Sequence, residues 1–407
     1  MNEKEKNVMD QVRDLLQEPP PPSQEVTAKA LSMLEDAMAP GGGHVRAPRP
    51  RRRFGWPVKL GAGLVAVGAA AAVAIALTGQ GSSGSPGSPG TPGTVDLHRK
   101  AVLAAAAKAE LAPTGKYWHT NSLDGQSYIV RAKTGTYAIV GAASESFHWA
   151  GVKKGSGEAY YNRDLPARPL TPQDEAAWKR AGSPKSFRVW SNDHYFTYRA
   201  KATPWRSHGP EVGVLPEGGG EFLGKSIEEW QNLPADPARL AEILLGKGDA
   251  ARRGADPSGS GSDPRMKAEA LQESDIWRTA SILSNAPVTP KVRAALMRAL
   301  AARPGIQAIG TVADPLGRSG VALAAGERTT TIDGEWGGPK AERGTYSHRQ
   351  MIVFDPRTGG LLAVQDTLTK PGGPYAEMKP GFVINYVATR SEGWTHTKPK
   401  PPAELPF

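Results

Sequence analysis

Residues 351–364 read MIVFDPRTGGLLAV, two apolar runs flanking Asp355-Pro356-Arg357-Thr358-Gly359-Gly360. The Asp-Pro opening and the glycine close supply turn chemistry, so the stretch predicts an antiparallel hairpin of 351–354 with 361–364. Working outward, runs rich in Val, Ile, Thr and Tyr predict further strands over 307–313, 320–325, 328–332, 347–355, 361–368 and 381–389. A second group lies earlier, at 117–122, 126–133, 136–140, 146–152, 187–190 and 195–200. Here Asp124-Gly125 and Thr134-Gly135 read as turns. Between the two groups the pattern is helical: 226–246 with a break at Pro234, 267–283, and 290–303. Asp236-Pro237 and Thr289-Pro290 are good cap-and-first-turn pairs. An Ala-rich helix over 95–111 precedes all of this, and 252–264 is a polar loop. Residues 95–407 are therefore expected to be one α+β domain, an antiparallel sheet with a helical middle.

A different signal lies upstream. Residues 60–77, LGAGLVAVGAAAAVAIAL, hold no charged or polar side chain. At about 1.5 Å per residue such a helix spans ~27 Å, close to the hydrocarbon thickness of a bilayer. With Thr78 and Gly79 this predicts one transmembrane helix over 60–79. Arg46, Arg49, Arg51, Arg52, Arg53 and Lys59 crowd its N-terminal side, and the first charge beyond it is Asp96. Basic residues stay cytoplasmic, so 1–59 is expected inside and the C-terminal domain outside the cell membrane. Arg51, Arg52, Arg53, Phe54, Trp56 and Lys59 are the expected membrane-interface residues. The Arg51-Arg52-Arg53-Phe54 run also fits a twin-arginine export signal, with Ala74-Ile75-Ala76 as a cleavage pattern. That pattern lies inside the apolar run rather than after it, which favours an uncleaved anchor.

Two short amphipathic helices are expected ahead of the anchor, separated by Pro19 to Pro22. Val8, Val12, Leu15 and Leu16 line the first; Val26, Leu31 and Leu34 line the second. Two helices this short bury little against one another, so these seven residues are candidates for docking a cytoplasmic partner. The competing reading is a tail that only spaces the anchor. After the anchor, 80–94 is a Gly/Ser/Pro linker.

Composition narrows the function classes. The 407 residues contain no Cys, which excludes disulfides, thiolate metal sites and cysteine nucleophiles. The net charge is +10, of which the part beyond residue 79 carries +8, and over that length the surplus reads as diffuse. Direct nucleic-acid binding is not expected. No phosphate loop, nucleophile elbow or zinc-protease motif occurs, and no two of the eight His fall at helix-face spacing. His119 and His148, both in expected strands, are the one pair that folding could bring together. Asp174-Glu175 and Glu228-Glu229 read as solvated helix positions. No catalytic residue, cofactor or metal is assigned, and the chain is read as a non-enzyme. The outer Trp residues (118, 149, 178, 190, 205, 230, 277, 336 and 394) form a lead for an apolar groove, against an ordinary core role.

Several segments together carry a resemblance: Tyr117-Trp118, Leu233-Pro234-Ala235-Asp236-Pro237, Val292 to Leu296, Arg303-Pro304-Gly305-Ile306, Gly317 to Ala322 and Phe354 to Gly359. The chain resembles single-pass membrane proteins of actinobacteria whose genes often lie beside those of extracytoplasmic-function sigma factors. The resemblance implies an anti-sigma-like or envelope-sensing role, with a sigma factor as the cytoplasmic partner. The strand-turn-strand close also resembles the curved half-barrel of envelope lipoprotein carriers and periplasmic anti-sigma regulators, which implies a half-barrel-like outer domain. Without Cys, any grip on a sigma factor does without a Cys/His zinc site. The alternative is an extracytoplasmic protein that binds an apolar ligand or lipid and uses the anchor only for retention.

Overall fold

The computed structural model describes residues 96–191, 193–208, 214–215, 218–246, 264–334 and 337–407. The cytoplasmic candidates, the interface residues and the expected membrane span all lie outside these. Among the described residues no helix is long and apolar enough to cross a membrane.

The elements run α1 (Leu97–Ala109), β1 (Tyr117–Ala132), β2 (Gly135–Gly151), β3 (Glu158–Asp164), β4 (Arg168–Pro169), α2 (Pro172–Arg180), β5 (Ser186–Ser191) and β6 (His194–Arg199). Short strands β7 (Arg206–His208), β8 (Val214–Leu215), β9 (Glu221–Phe222) and β10 (Lys225–Ser226) lead to the helices α3 (Ile227–Gln231), α4 (Pro237–Leu244), α5 (Pro264–Asn285) and α6 (Pro290–Ala301). The chain closes with β11 (Gln307–Ala313), β12 (Ser319–Ala324), β13 (Arg328–Ile332), β14 (Gly344–Phe354), β15 (Leu361–Lys370) and β16 (Val383–Thr395). Twelve strands form one antiparallel sheet in the order β11-β12-β14-β15-β16-β1-β2-β3-β7, with β13 also on β14, β4 on β2 and β8 on β3. The first and second strand groups thus join through the β16–β1 pairing, which runs from Tyr117 opposite Thr395 to Gln126 opposite Asn385. The α+β reading holds, and the sheet is continuous.

The hairpin that opens the sequence reading forms between β14 and β15, with Ile352 opposite Val364 and Phe354 opposite Leu361. Gly359 takes φ +71°, and a Cβ there would meet the Ala105 carbonyl and Ala109 of α1. This loop therefore needs glycine twice over, for its conformation and for its approach to the helix.

One expectation is corrected. Asp124-Gly125 is no turn: β1 runs unbroken through it, with a register shift against β2 between Asp124 and Gln126. Glycine is required there because the Tyr386 ring occupies the space a Cβ would fill, 2.5 Å away. Likewise 136–140 and 146–152 belong to one strand, β2. Such bulges kink strands and raise local twist, and others occur at Asn121/Ser122, Ala308/Gly310 and Asp366/Thr367.

Helices cover one part of the sheet. Helix α6 packs on α1, α4 and α5, while α5 packs on β1, β14 and β15. Thr289 caps α6 by accepting from Val292 N–H, with Pro290 in its first turn. Leu296, Met297 and Leu300 of α6 are fully buried, and they share one core with Trp118, Leu323, Ile352, Phe354 and Val364. A helix buried on nearly all sides carries little amphipathic signal, because every face meets protein. Inside this core Arg293 pairs with Glu392 at 2.8 Å, both side chains more than nine-tenths buried. At the other end of β1 and β2 a separate cluster of Tyr128, Tyr137, Ile139, Phe187 and Val189 packs against Ala177 of α2. Asp174 is not simply solvated. Its carboxylate accepts from Thr171 N–H in a capping box and from Ala138 N–H, tying α2 to β2.

Candidate functional site

The largest concentration of perturbed titratable groups lies around a cleft of about 550 Å³. Its walls come from the middle of β1 (Gln126 to Ile129), the end of β5 (Val189 to Ser191), the end of β13 (Thr331 to Asp333), and Glu342, Pro374 and Tyr375. Three long stretches of chain separate these segments, so the sequence alone does not juxtapose them.

Each wall is fixed by a local cause. Tyr128 Oη bonds Ser191 Oγ at 2.9 Å and Tyr198 Oη at 3.0 Å, which clamps the β5–β6 hairpin to β1. Burial raises the Tyr128 phenol well above its ordinary pKa. Opposite it, the Arg131 guanidinium bonds Glu342 at 2.8 Å, Glu377 at 3.1 Å and the Pro374 carbonyl at 2.9 Å. One side chain thus holds the two single-turn 3-10 helices Lys340–Glu342 and Gly373–Tyr375 in place. Burial raises the Glu342 carboxyl pKa and outweighs the opposing pull of Arg131. The Ser127 hydroxyl is buried and has no hydrogen-bond partner.

Behind the cleft the network continues inward. The Tyr375 ring meets Tyr346 edge-on at 5.0 Å, and Tyr346 lies 5.5 Å from His348. His348 Nε2 is 3.1 Å from Thr330 Oγ1, and its Nδ1 is 3.9 Å from the Asp366 carboxylate. Burial lowers the His348 pKa and raises those of Asp366, Tyr346 and Tyr375. Asp366 is partly held in its charged form by His348 and by the Asn385 side chain. Tyr346 thus connects His348 and Asp366, whose pKa values burial displaces toward each other, to the cleft residue Tyr375, which marks the cluster as a functional-site candidate. The walls set hydroxyl, amide and carboxyl groups beside Ile129, Val189, Trp190, Ile332 and Pro374, so a ligand there would meet both hydrogen-bonding and apolar surface.

Other candidate residues fall elsewhere. His119 and His148 do not meet. His119 pairs across the sheet with Trp149, whereas His148 pairs with Thr120, so the two rings point to opposite faces. His148 instead bonds Glu158 at 3.1 Å, and burial lowers the His119 pKa. Among the described residues no three His, Asp or Glu side chains group as metal ligands. The Trp residues do not converge on one groove. Trp118, Trp178, Trp205 and Trp230 each donate their indole N–H to a different backbone carbonyl, of Ser284, Pro184, Pro402 and Phe222. Trp394 packs edge-on against Trp118 at 5.4 Å, and Trp336 lies outside the described residues. Sequence reading missed the cleft residues because Tyr128, Arg131, Tyr346 and Tyr375 look like ordinary strand and loop residues. The only available signal is the density of Tyr in runs that carry His and Asp.

The chain matches no family model, and comparison with curated proteins finds no significant match.

Proposed function

We propose that this chain is a membrane-tethered envelope regulator whose outer domain binds a ligand in the 550 Å³ cleft. In this reading residues 60–79 span the cell membrane once, and residues 1–59 face the cytoplasm. The faces made by Val8, Val12, Leu15, Leu16, Val26, Leu31 and Leu34 hold a partner of the sigma-factor type. The domain's half-barrel-like form is the finer version of its bulged antiparallel sheet. The observation that carries the sensing role is the cleft itself, with buried groups displaced in pKa beneath a wall held by one arginine. Perturbed titratable groups at a cleft are a recognised mark of a functional-site candidate.

The test uses the full chain, tagged and purified from detergent-extracted membranes. A sigma factor that co-purifies with the native chain, and not with the Leu15→Asp, Leu16→Asp, Leu31→Asp, Leu34→Asp variant, supports the reading. Equal recovery of every protein by both forms ends it. If the cleft governs the partner, Ser127→Val should change the amount of sigma factor retained without changing membrane insertion.

One observation favours the apolar-ligand alternative. A smaller cleft of about 340 Å³ is walled by Trp118, Trp394, Val288, Pro113 and Pro290. It also contains the buried Glu392–Arg293 pair, in which Glu392 Oε2 has no hydrogen-bond partner. Binding of a fluorescent fatty acid, displaced by Trp394→Ala and unaffected by Ser127→Val, would move the assignment there.

A further inference from the structure

The β5–β6 hairpin stands apart from the sheet as its own two-stranded piece. It is held to the body by Phe187 and Val189 on its inner side and by the Tyr198–Tyr128 hydroxyl contact. Strand β6, His194–Arg199, is exposed at every position except the half-buried Tyr198. Tyr195 and Phe196 are 43% and 42% exposed, large values for aromatic rings on a strand. They flank the hairpin on its two faces: Tyr195 meets Trp190 edge-on at 5.1 Å with the Arg188 guanidinium 3.9 Å over its ring, while Phe196 lies opposite Val189 and stacks on Tyr198 at 6.0 Å. The register sets Arg188 opposite Thr197, Trp190 opposite Tyr195 and Ser186 opposite Arg199 on the outer face.

Charge gathers in the stretch of chain that contains the hairpin. Residues 179–206 contain seven basic residues, Lys179, Arg180, Lys185, Arg188, Arg199, Lys201 and Arg206, against one acidic, Asp193. That segment holds six of the eight surplus positive charges beyond residue 79, so the surplus is concentrated and not diffuse. All seven are exposed. Only Lys179 and Arg206 have an ion-pair partner among the described residues, Glu175 and Asp164 respectively. Exposed Tyr195 and Phe196 lie on a hairpin that also carries the exposed Arg188 and Arg199, neither with an ion-pair partner among the described residues. This matches the boundary of an anionic bilayer, where rings sit at headgroup depth and cations meet lipid phosphates.

We propose that this hairpin docks on an anionic membrane surface, giving the domain a lipid contact separate from any spanning segment. The proposal does not rest on the regulator reading. Tyr195 and Phe196 enter the headgroup layer from the two faces of the hairpin, and Arg188, Arg199, Lys185 and Lys201 contact lipid phosphates. An attraction of about 1 kcal/mol per basic residue corresponds to roughly fivefold weaker docking for each one removed.

Because the chain has no cysteine, Thr197→Cys gives a single site for an environment-sensitive dye on the full-length protein. Arg357→Cys, on the exposed side of the β14–β15 loop, is the control. Each labelled protein is mixed with phosphatidylcholine vesicles made with and without phosphatidylglycerol. Expected is an apolar shift of the dye at 197 on the anionic vesicles alone, reversed by salt, abolished by Tyr195→Ser with Phe196→Ser, and about fivefold weaker with Arg188→Ser. The dye at 357 should report water throughout. An aqueous signal from 197 while the protein floats with anionic vesicles overturns the proposal. So does an equal shift at 357, because contact is then not made by the hairpin.

Discussion

The two ends of the sheet solve opposite problems. Where α1, α4, α5 and α6 cover it, the interior is largely apolar, and the Arg293–Glu392 ion pair is more than nine-tenths buried. Where the middle of β1 meets β5 and β13, the sheet instead gathers tyrosines, a His–Asp contact and an arginine clamp beneath an opening, beside an aromatic hairpin left exposed. Burial of apolar area stabilises the first end, since each fully buried large side chain contributes about 1.5–3 kcal/mol. The second end accepts desolvated polar groups that stability alone would not select.

Three sets of substitutions probe this division, beginning with the helix-covered end. Leu300→Ala in α6 empties a fully buried position and should cost about 2–5 kcal/mol, read as a fall in denaturation midpoint. A loss below ~1 kcal/mol would mean that the helices pack loosely on the sheet. Glu392→Ala should cost about 3–5 kcal/mol because Arg293 is left buried and unpaired. Replacing both partners, Arg293→Met with Glu392→Leu, should recover most of that loss. Equal damage from the double change would show that the pair does more than neutralise itself. Gly125→Ala drives a methyl into the Tyr386 ring and should cost about 1–3 kcal/mol, while Gly155→Ala, where no atom lies near, tests φ alone.

The smallest effect concerns pH. Burial depresses the pKa of both His119 and His348 below the ordinary 6.5. The unfolded chain therefore binds protons near and below pH 6.5 that the folded chain refuses, and stability falls as pH drops through that range. Asp366, Asp124 and Glu342 are raised, so their contribution has the opposite sign: it is present at low pH and lost as pH rises through their folded values. His119→Gln with His348→Gln should therefore flatten the fall between pH 7 and 5.5, measured by denaturant titration. An unchanged slope would place both rings in contact with water.

Local chemistry was legible wherever one residue type has one job. Asp236-Pro237 and Thr289-Pro290 predicted helix starts, and the structure places Asp236 and Thr289 as N-caps with the prolines in the first turn. The 351–364 hairpin was legible for the same reason. Residues 158–164 went unread, and of the 172–180 helix only Asp174-Glu175 was read as helical, although Thr171 caps it and Pro172 opens it. Gly125 misled, because a glycine demanded by a ring on the neighbouring strand looks identical to one demanded by a turn. The candidate cleft was not legible: Ser127, Ser191, Asp333 and Tyr375 come from four elements, and nothing local marks any of them.

The sequence by itself determined the class: antiparallel strands around a helical middle, no cysteine chemistry, and a basic run before an uninterrupted apolar segment. Those properties depend on composition, periodicity and nearest neighbours along the chain. Only the tertiary structure decided that β16 joins the two strand groups, that His119 and His148 face apart, and that titratable groups meet under one opening. It also decided that Tyr195 and Phe196 remain uncovered. Pairing partners, burial and the resulting pKa shifts depend on distances between residues hundreds of positions apart, and those distances exist only once the sheet has closed its register.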